Sequence, residues 1–347
     1  MNFQSASAKR AEIPNLLDSL KPDVILGTKT WLDASISNSE ILPSLYNVYR
    51  KDRGGKGGGV LIAVRNTLDS SAAPELEVED CELLWVRVKL KGWRTLYLCA
   101  CYRPNVADET SLRKLGQAFE RASQLPKAQL LIGGDFNFPG WDWQTTTPTL
   151  KPRAPYPGLH HDFQDLINDH GLEQLVREPT REDNTLNLYL TNCPQLIPRT
   201  EVIPGLSDHN IPYCEFIVNT TKKKQAQYEV PVYAKANWTS LKEVAVNLSS
   251  TIVESKDTTT TEELWNIFKT TLQDAVKEHI PHKTTRAKIS QPWVTAEIRK
   301  LIHKRDRVYK RMKKTGSEKL KAEAKNLRRI VQRQLQELLE IHEQHLH

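Results

Sequence analysis

Gln129-Leu130-Leu131-Ile132-Gly133-Gly134-Asp135-Phe136-Asn137 is the stretch on which the reading of this chain turns. Gln129–Ile132 reads as an apolar strand, and it runs into two glycines. Asp-x-Asn follows at once, so a carboxylate and an amide sit at a strand's C-terminal end. Strand alternation puts Asp135 and Asn137 on one face. Upstream, Thr110–Gln124 carries Leu112, Leu115 and Phe119 at helical spacing. Leu83–Leu90 and Leu96–Tyr102 read as strands paired across the turn Lys91-Gly92-Trp93, with Leu84, Val86, Val88 and Leu90 inward. Val60–Val64 and Asp23–Gly27 are shorter strands, and Ala8–Leu20 is a helix stopped by Pro22. Downstream lie a helix, Asp162–His170, and two strands, Leu186–Leu190 and Tyr213–Val218. Paired strands with helices between the pairs predict an α/β fold in which a mixed sheet packs on a second sheet, helices outside.

The character changes after residue 218. Residues 219–237 are polar, hold Lys222-Lys223-Lys224 and Pro231, and read as a linker. Trp238–Ile252 and Thr261–His279 are amphipathic helices; Thr258–Thr261 before Glu262-Glu263 marks a start and Pro281 a stop. Trp293–Lys313 and Ser317–His345 are long charged helices broken at Thr315-Gly316. The expected division is therefore a domain over 1–218, a linker over 219–237 and a basic helical extension over 238–347.

The formal charge of +7 belongs to that extension. Residues 1–285 hold 32 Lys/Arg against 35 Asp/Glu, whereas 286–333 hold 17 against 4, a net +13. Such a density binds phosphates without sequence preference, so nucleic-acid contact is expected there, through residues such as Arg305 and Arg311. No run of 18 apolar residues exists and the start has no signal-peptide core, so no membrane partner and a cytoplasmic or nuclear location are expected. The five cysteines lack paired metal spacing; Cys99 and Cys101 share a strand face, and all five read as reduced thiols.

Four short motifs stand at strand ends: Asn2-Phe3-Gln4-Ser5, Tyr102-Arg103-Pro104-Asn105, Gly134-Asp135-Phe136-Asn137 and Ser207-Asp208-His209. Each alone is a common turn or surface sequence. Together they suit phosphodiester hydrolysis, which needs a divalent cation held by carboxylates, a base for water, and a donor near the phosphate oxygens.

With Gly27-Thr28-Lys29-Thr30-Trp31-Leu32, Tyr49-Arg50-Lys51-Asp52-Arg53 and Gly57-Gly58-Gly59-Val60-Leu61-Ile62-Ala63-Val64 added, residues 2–218 resemble the endonuclease of non-LTR (LINE-type) retrotransposons. That domain belongs to the exonuclease–endonuclease–phosphatase superfamily. The resemblance implies a four-layered α/β sandwich, two mixed β-sheets flanked by helices, here with a C-terminal mainly helical extension. Residues 238–340, with Gln291-Pro292-Trp293, resemble the segment that precedes the reverse transcriptase in such elements; no polymerase sequence follows them. The implied activity is Mg²⁺- or Mn²⁺-dependent nicking of DNA, which leaves a 3′-hydroxyl to prime reverse transcription. RNA is a second expected partner, through the basic helices.

By the same resemblance Asp135 activates water, Asn137 orients it, His209 binds the scissile phosphate, and Asp208 holds metal or substrate. Tyr102 lines the phosphate site and Asn2 contacts metal or phosphate. Thr180, Arg103, Asn105 and Ser207 are expected at the nucleic-acid edge.

Three departures cut against activity. Where the family has Glu in Gly-Thr-Glu-Thr-Trp, this chain has Lys29. At about 4 Å and an effective dielectric near 20, an ammonium repels a divalent ion by roughly 8 kcal/mol. Asn187 replaces the Asp that pairs with the catalytic His; a comparable loss in serine proteases costs about 10⁴-fold in rate. Finally, only Met1 precedes Asn2, so the strand expected before it is missing and a sheet edge is expected to be exposed. Two readings of these changes follow. The chain is a nucleic-acid-binding remnant, or it keeps residual nicking with Asp33 or Glu40 helping to hold metal. A phosphoesterase acting on small esters is a further alternative.

Gly54–Gly59 lacks the Lys-Ser/Thr ending of a phosphate loop and reads as a hairpin loop. His160-His161 reads as solvated surface, and Trp141 and Trp143 either stack on DNA or cover the sheet edge.

Overall fold

The computed structural model describes residues 1–54, 57–90, 92–145, 147–218, 228–255, 258–285 and 294–344. The expected features at Lys222–Lys224 and Gln291–Trp293, and the tip of the Gly54–Gly59 loop, lie outside them. Two compact units are formed: Met1–Lys223 with Ile289–His347, and Lys224–Lys288.

The strands of the first unit are β1 (Val24–Thr28), β2 (Tyr46–Lys51), β3 (Val60–Arg65), β4 (Asp69–Ala72), β5 (Leu83–Lys89), β6 (Leu96–Tyr102), β7 (Gln129–Asp135), β8 (Trp141–Asp142), β9 (Thr149–Leu150), β10 (Glu173–Gln174), β11 (Asn187–Thr191), β12 (Arg199–Ile203) and β13 (Ile211–Glu215). Its first four helices are α1 (Ile13–Leu20), α2 (Asn38–Ile41), α3 (Glu109–Ser123) and α4 (Pro157–Asp169). The second unit holds β14 (Tyr228–Pro231), α5 (Trp238–Ser255), α6 (Thr261–His279) and β15 (His282–Thr285). The chain then returns to the first unit with α7 (Ala296–Thr315) and α8 (Glu318–Gln344).

A six-stranded mixed sheet runs β10-β11-β7-β6-β5-β4, and a three-stranded sheet runs β1-β3-β2. The β6–β7 pair is parallel, so the chain must cross over between its ends, and α3 makes that crossover. Asp108 caps α3 by accepting from the Ser111 amide at 2.9 Å. Its stripe Leu112, Leu115, Phe119 packs on β5 residues Leu83 and Trp85 and on β7 residues Leu130 and Ile132. The opposite face of the large sheet, Leu84, Val86, Val88 and Leu131, meets Val60, Ile62 and Val64 of β3. Leu61 and Ala63 on the far side of β3 are buried too, so both sheets are covered on both faces, as a four-layered sandwich requires.

Several local expectations change. The helix at Ala8–Leu20 divides into a short 3₁₀ turn, Ser7–Lys9, and α1 from Ile13, where Pro14 fits a first turn. α4 starts at Pro157, five residues before the helix expected there. His160, expected in solvent, is buried; its Nε2 accepts from the Gly140 amide at 3.0 Å, while His161 is exposed. Trp141 and Trp143 are buried in the α3–α4 core and cover the sheet. All five cysteines are free thiols, four of them buried.

In the second unit, α6 opens with Thr260 and Glu263 in a reciprocal capping box. Trp265 and Phe268 stack on its surface with centroids 5.6 Å apart.

Candidate active site at the strand ends

Sheet register assembles the centre. Asp135 is the last residue of β7, level with Tyr102 of β6 on one side and Asn187 of β11 on the other. From the other sheet, Asn2 bridges Thr28 in parallel, which carries the Asn2 side chain over the strand ends. Its Nδ2 donates to Asp135 Oδ2 at 3.0 Å, and Lys29 Nζ lies 3.1 Å from the same oxygen. Asp135 is fully buried and Lys29 largely so. Lys29 Nζ also stands 5.3 Å from the centre of the Tyr102 ring, a cation–π distance. Burial, with Asp135 adding to it, pushes the Tyr102 hydroxyl up to about 12.

The backbone around Lys29 is fixed. Lys29 takes a left-handed φ of 51°, and its carbonyl accepts from Ser5 at 3.1 Å. Thr30 and Trp31 donate to the carbonyls of Gly59 and Gly58 at 3.2 and 3.1 Å. That approach is why the glycine run is needed: Gly59 has φ +82°, and a Cβ there would meet Thr30 Oγ1 at 2.4 Å. Gly58 and Gly59 thus shape the Lys29 turn.

His209 is held from three sides. Its Nδ1 lies 2.5 Å from Asn187 Oδ1 and its backbone amide donates to Ser207 Oγ at 3.3 Å. Ser207 Oγ in turn donates to the Asn2 carbonyl at 2.7 Å. Gly205 closes the turn: a Cβ there would lie 1.9 Å from the His209 carbonyl oxygen. The Nδ1 contact fits an Nδ1–H tautomer, which leaves Nε2 as a lone pair 4.0 Å from both Asp135 and Asp208. Burial drives the His209 pKa down to about 4; Asp135 opposes the shift and Lys29 adds to it. The imidazole is therefore neutral near pH 7.

The structure brings Asn2, Lys29, Tyr102, Asp135, Asn187, Ser207 and His209 together. Thr180 is buried behind them and not at an edge: its Oγ1 accepts from the amides of Leu186 and Asn187 at 2.9 and 3.0 Å. Asn137 does not share a face with Asp135. β7 ends at Asp135, Asn137 has φ 57°, and its Nδ2 donates to the Pro104 carbonyl at 2.9 Å. Arg103 is 1% exposed, not at a nucleic-acid edge. Its guanidinium donates to the carbonyls of Val106, Asp108 and Phe136 and lies 4.2 Å from the Phe138 ring centre. Asn105 is exposed and accepts from the Ala107 amide. Asp208 faces outward and pairs with Arg181 at 2.9 Å, a partner that no motif flags although it adjoins Thr180. Asp33 and Glu40 are spent locally, on Ser35 and on the Ser37 cap of α2. Arg305 and Arg311 lie on α7.

Asn2 Oδ1 and Asp135 Oδ1 are buried without partners, as acceptors awaiting a cation are. The cation beside them is the Lys29 ammonium, where a divalent ion would need an anion. Among the described residues no group of three or more His, Cys, Asp or Glu is placed to hold a metal. The residues present do not fit a divalent ion.

Residues 96–213, which span β6 to β13, match the family model described as endonuclease-reverse transcriptase. Solved structures similar to the chain include the endonuclease domain of TRAS1, a telomere-specific non-LTR retrotransposon. It is 16% identical, covers 63% of this chain and 97% of its own, and has a TM-score of 0.48. An AP endonuclease from Archaeoglobus fulgidus is also 16% identical, with 62% and 97% covered and a TM-score of 0.47. The same figures hold for the 3′ phosphatase NExo from Neisseria bound to a product DNA hairpin. No curated protein matches the chain. Among the described residues no helix is long and apolar enough to cross a membrane.

Proposed function

We propose that this chain is a retrotransposon-derived DNA endonuclease whose metal-dependent nicking is disabled and whose remaining activity is nucleic-acid binding. The observation that carries the reading is the 3.1 Å contact between Lys29 Nζ and Asp135 Oδ2. Hydrolysis of a phosphodiester needs charge neutralisation at the phosphate and a base free to take a proton from water. Lys29 removes both. Its ammonium stands where the cation would, and it engages the carboxylate that would accept the proton. Asn187, being neutral, orients His209 and leaves its imidazolium unsupported. The Lys29 ammonium retains one positive charge for a phosphate oxygen, whereas the neutral His209, with its Nδ1 proton on Asn187, has no donor left for one.

By origin, we assign residues 1–218 to the endonuclease, 219–237 to a linker and 238–347 to the segment that precedes a reverse transcriptase. An intracellular location, nuclear or cytoplasmic, goes with that origin. Nicking of supercoiled plasmid in Mg²⁺ tests the reading. The natural chain leaves the plasmid closed, and Lys29→Glu with Asn187→Asp nicks it. Nicking by the natural chain that Asp135→Ala abolishes would overturn the reading.

A further inference from the structure

The basic C-terminal helices are not a loose tail. α7 and α8 pack on each other and on the endonuclease unit, where Ala11 is buried with Val294, Ile298, Ile302, Val331 and Leu335. Gln332 Nε2 donates to the Leu206 carbonyl at 3.2 Å, one residue before Ser207-Asp208-His209. Lys313 Nζ binds Glu178 and donates to the Val202 carbonyl at 3.0 Å.

Docking sorts the cations of α7. On the side that faces the body, Arg305 pairs with Asp306 at 2.7 Å and Lys313 with Glu178. The opposite side carries Lys300, Lys304, Arg307, Arg311 and Lys314, all exposed. Their spacing of four, three, four and three residues makes one straight stripe, about 21 Å long at 1.5 Å per residue. Among the described residues none of the five makes an ion pair. α8 differs: Lys321 pairs with Glu318 and Arg333 with Glu337. A solvated face of the ordinary kind mixes its charges in this way. Glu297 is the only acidic residue among the exposed positions of α7.

We infer that the stripe Lys300–Lys304–Arg307–Arg311–Lys314 is a contact surface for the phosphate backbone of duplex DNA. Five unpaired cations in a line match a linear polyanion, whose duplex carries a charge about every 1.7 Å of axis. A membrane surface fits less well, because helices that lie on lipid present apolar residues beside their cations, and α7 buries or half-buries all of its Ile, Leu, Val and Met residues. The choice of DNA over RNA rests on the function proposed above; the phosphate contact does not.

The test is fluorescence anisotropy of a labelled 25-base-pair duplex of arbitrary sequence over a NaCl series, with the full chain. Substitution of all five positions by Gln should flatten the slope of log K against log [NaCl] by about 4.5, at about 0.9 for each phosphate that is no longer neutralised. An equal-charge control changes Lys89, Arg113, Lys127, Arg153 and Lys325 to Gln and should keep most of the natural slope. Both variants should melt with the natural chain, because every changed residue is exposed. Equal flattening in both variants, or none in the first, overturns the inference. A stripe-dependent slope that is steeper for duplex RNA, or for phosphatidylserine vesicles, overturns the assignment to DNA. Binding is read without cleavage: a chain that nicks overturns the function proposed above, and the slope then still decides for or against the stripe.

Discussion

Two cations of the first unit, Arg103 and Lys29, are drawn inward, and they are held in opposite ways. Arg103 is almost fully buried and spends its guanidinium on three backbone carbonyls and one aromatic face. Burial pushes its pKa down to about 10, so it stays charged at any physiological pH. Lys29 keeps part of its side chain in solvent and finds one carboxylate and one ring. Arg103 closes the loop between β6 and α3 and is part of the fold. Lys29 balances a charge that another cation could balance. In sequence Arg103 reads as a nucleic-acid contact and Lys29 as a replaced metal ligand; in the structure Arg103 is part of the fold and Lys29 is the partner of Asp135.

Removing each cation should separate the two roles. Arg103→Met strands three carbonyls and should cost about 3 kcal/mol or more, seen as a fall in urea midpoint. A change below about 1 kcal/mol would place Arg103 outside the fold-forming set. Lys29→Met leaves Asp135 buried with Asn2 as its remaining hydrogen-bond donor and should cost about 2 kcal/mol, while Lys29→Arg should cost less. If Met and Arg behave alike, charge balance is not what Lys29 supplies.

The pH dependence probes the same centre. His209 titrates near 4 in the fold and near 6.5 when unfolded, so the unfolded chain binds the extra proton between those values. Stability from this residue is complete above about pH 6.5 and is lost as pH falls towards 4, on the order of 3 kcal/mol. Asn187→Asp should raise the His209 pKa, read by NMR of the imidazole, and flatten that loss. An unchanged pKa would mean that Asn187 and His209 do not touch. Smallest of all, Thr180→Val removes the acceptor for two backbone amides behind Asn187 and should cost about 1 kcal/mol by thermal melting.

Much of the molecule is legible in the chain. The large sheet's central strands are, because apolar runs ending in glycine or turn residues mark them. So is the set Asn2, Tyr102, Asp135, Asn187 and His209, because the motifs resemble a family. β2 and β12 carry no such mark: Tyr46–Lys51 and Arg199–Ile203 are half-polar, as strands buried on one side or at an edge often are. The direction of charged and aromatic side chains is not legible. Arg103 meets Phe136 and Phe138 more than thirty residues away, and His160 meets Gly140 twenty residues away. Asn137 fails for a local reason. Alternation holds only while the strand lasts, and its left-handed φ ends it.

On the proposed reading, Lys29 stands beside Asp135 where a divalent ion would sit. Bound Mn²⁺, counted by electron paramagnetic resonance as metal is titrated into the chain, tests it most directly. No Mn²⁺ is expected at this centre in the natural chain at sub-millimolar metal, and one ion in Lys29→Glu that Asp135→Ala removes. One tightly bound Mn²⁺ in the natural chain, absent from Asp135→Ala, would contradict it.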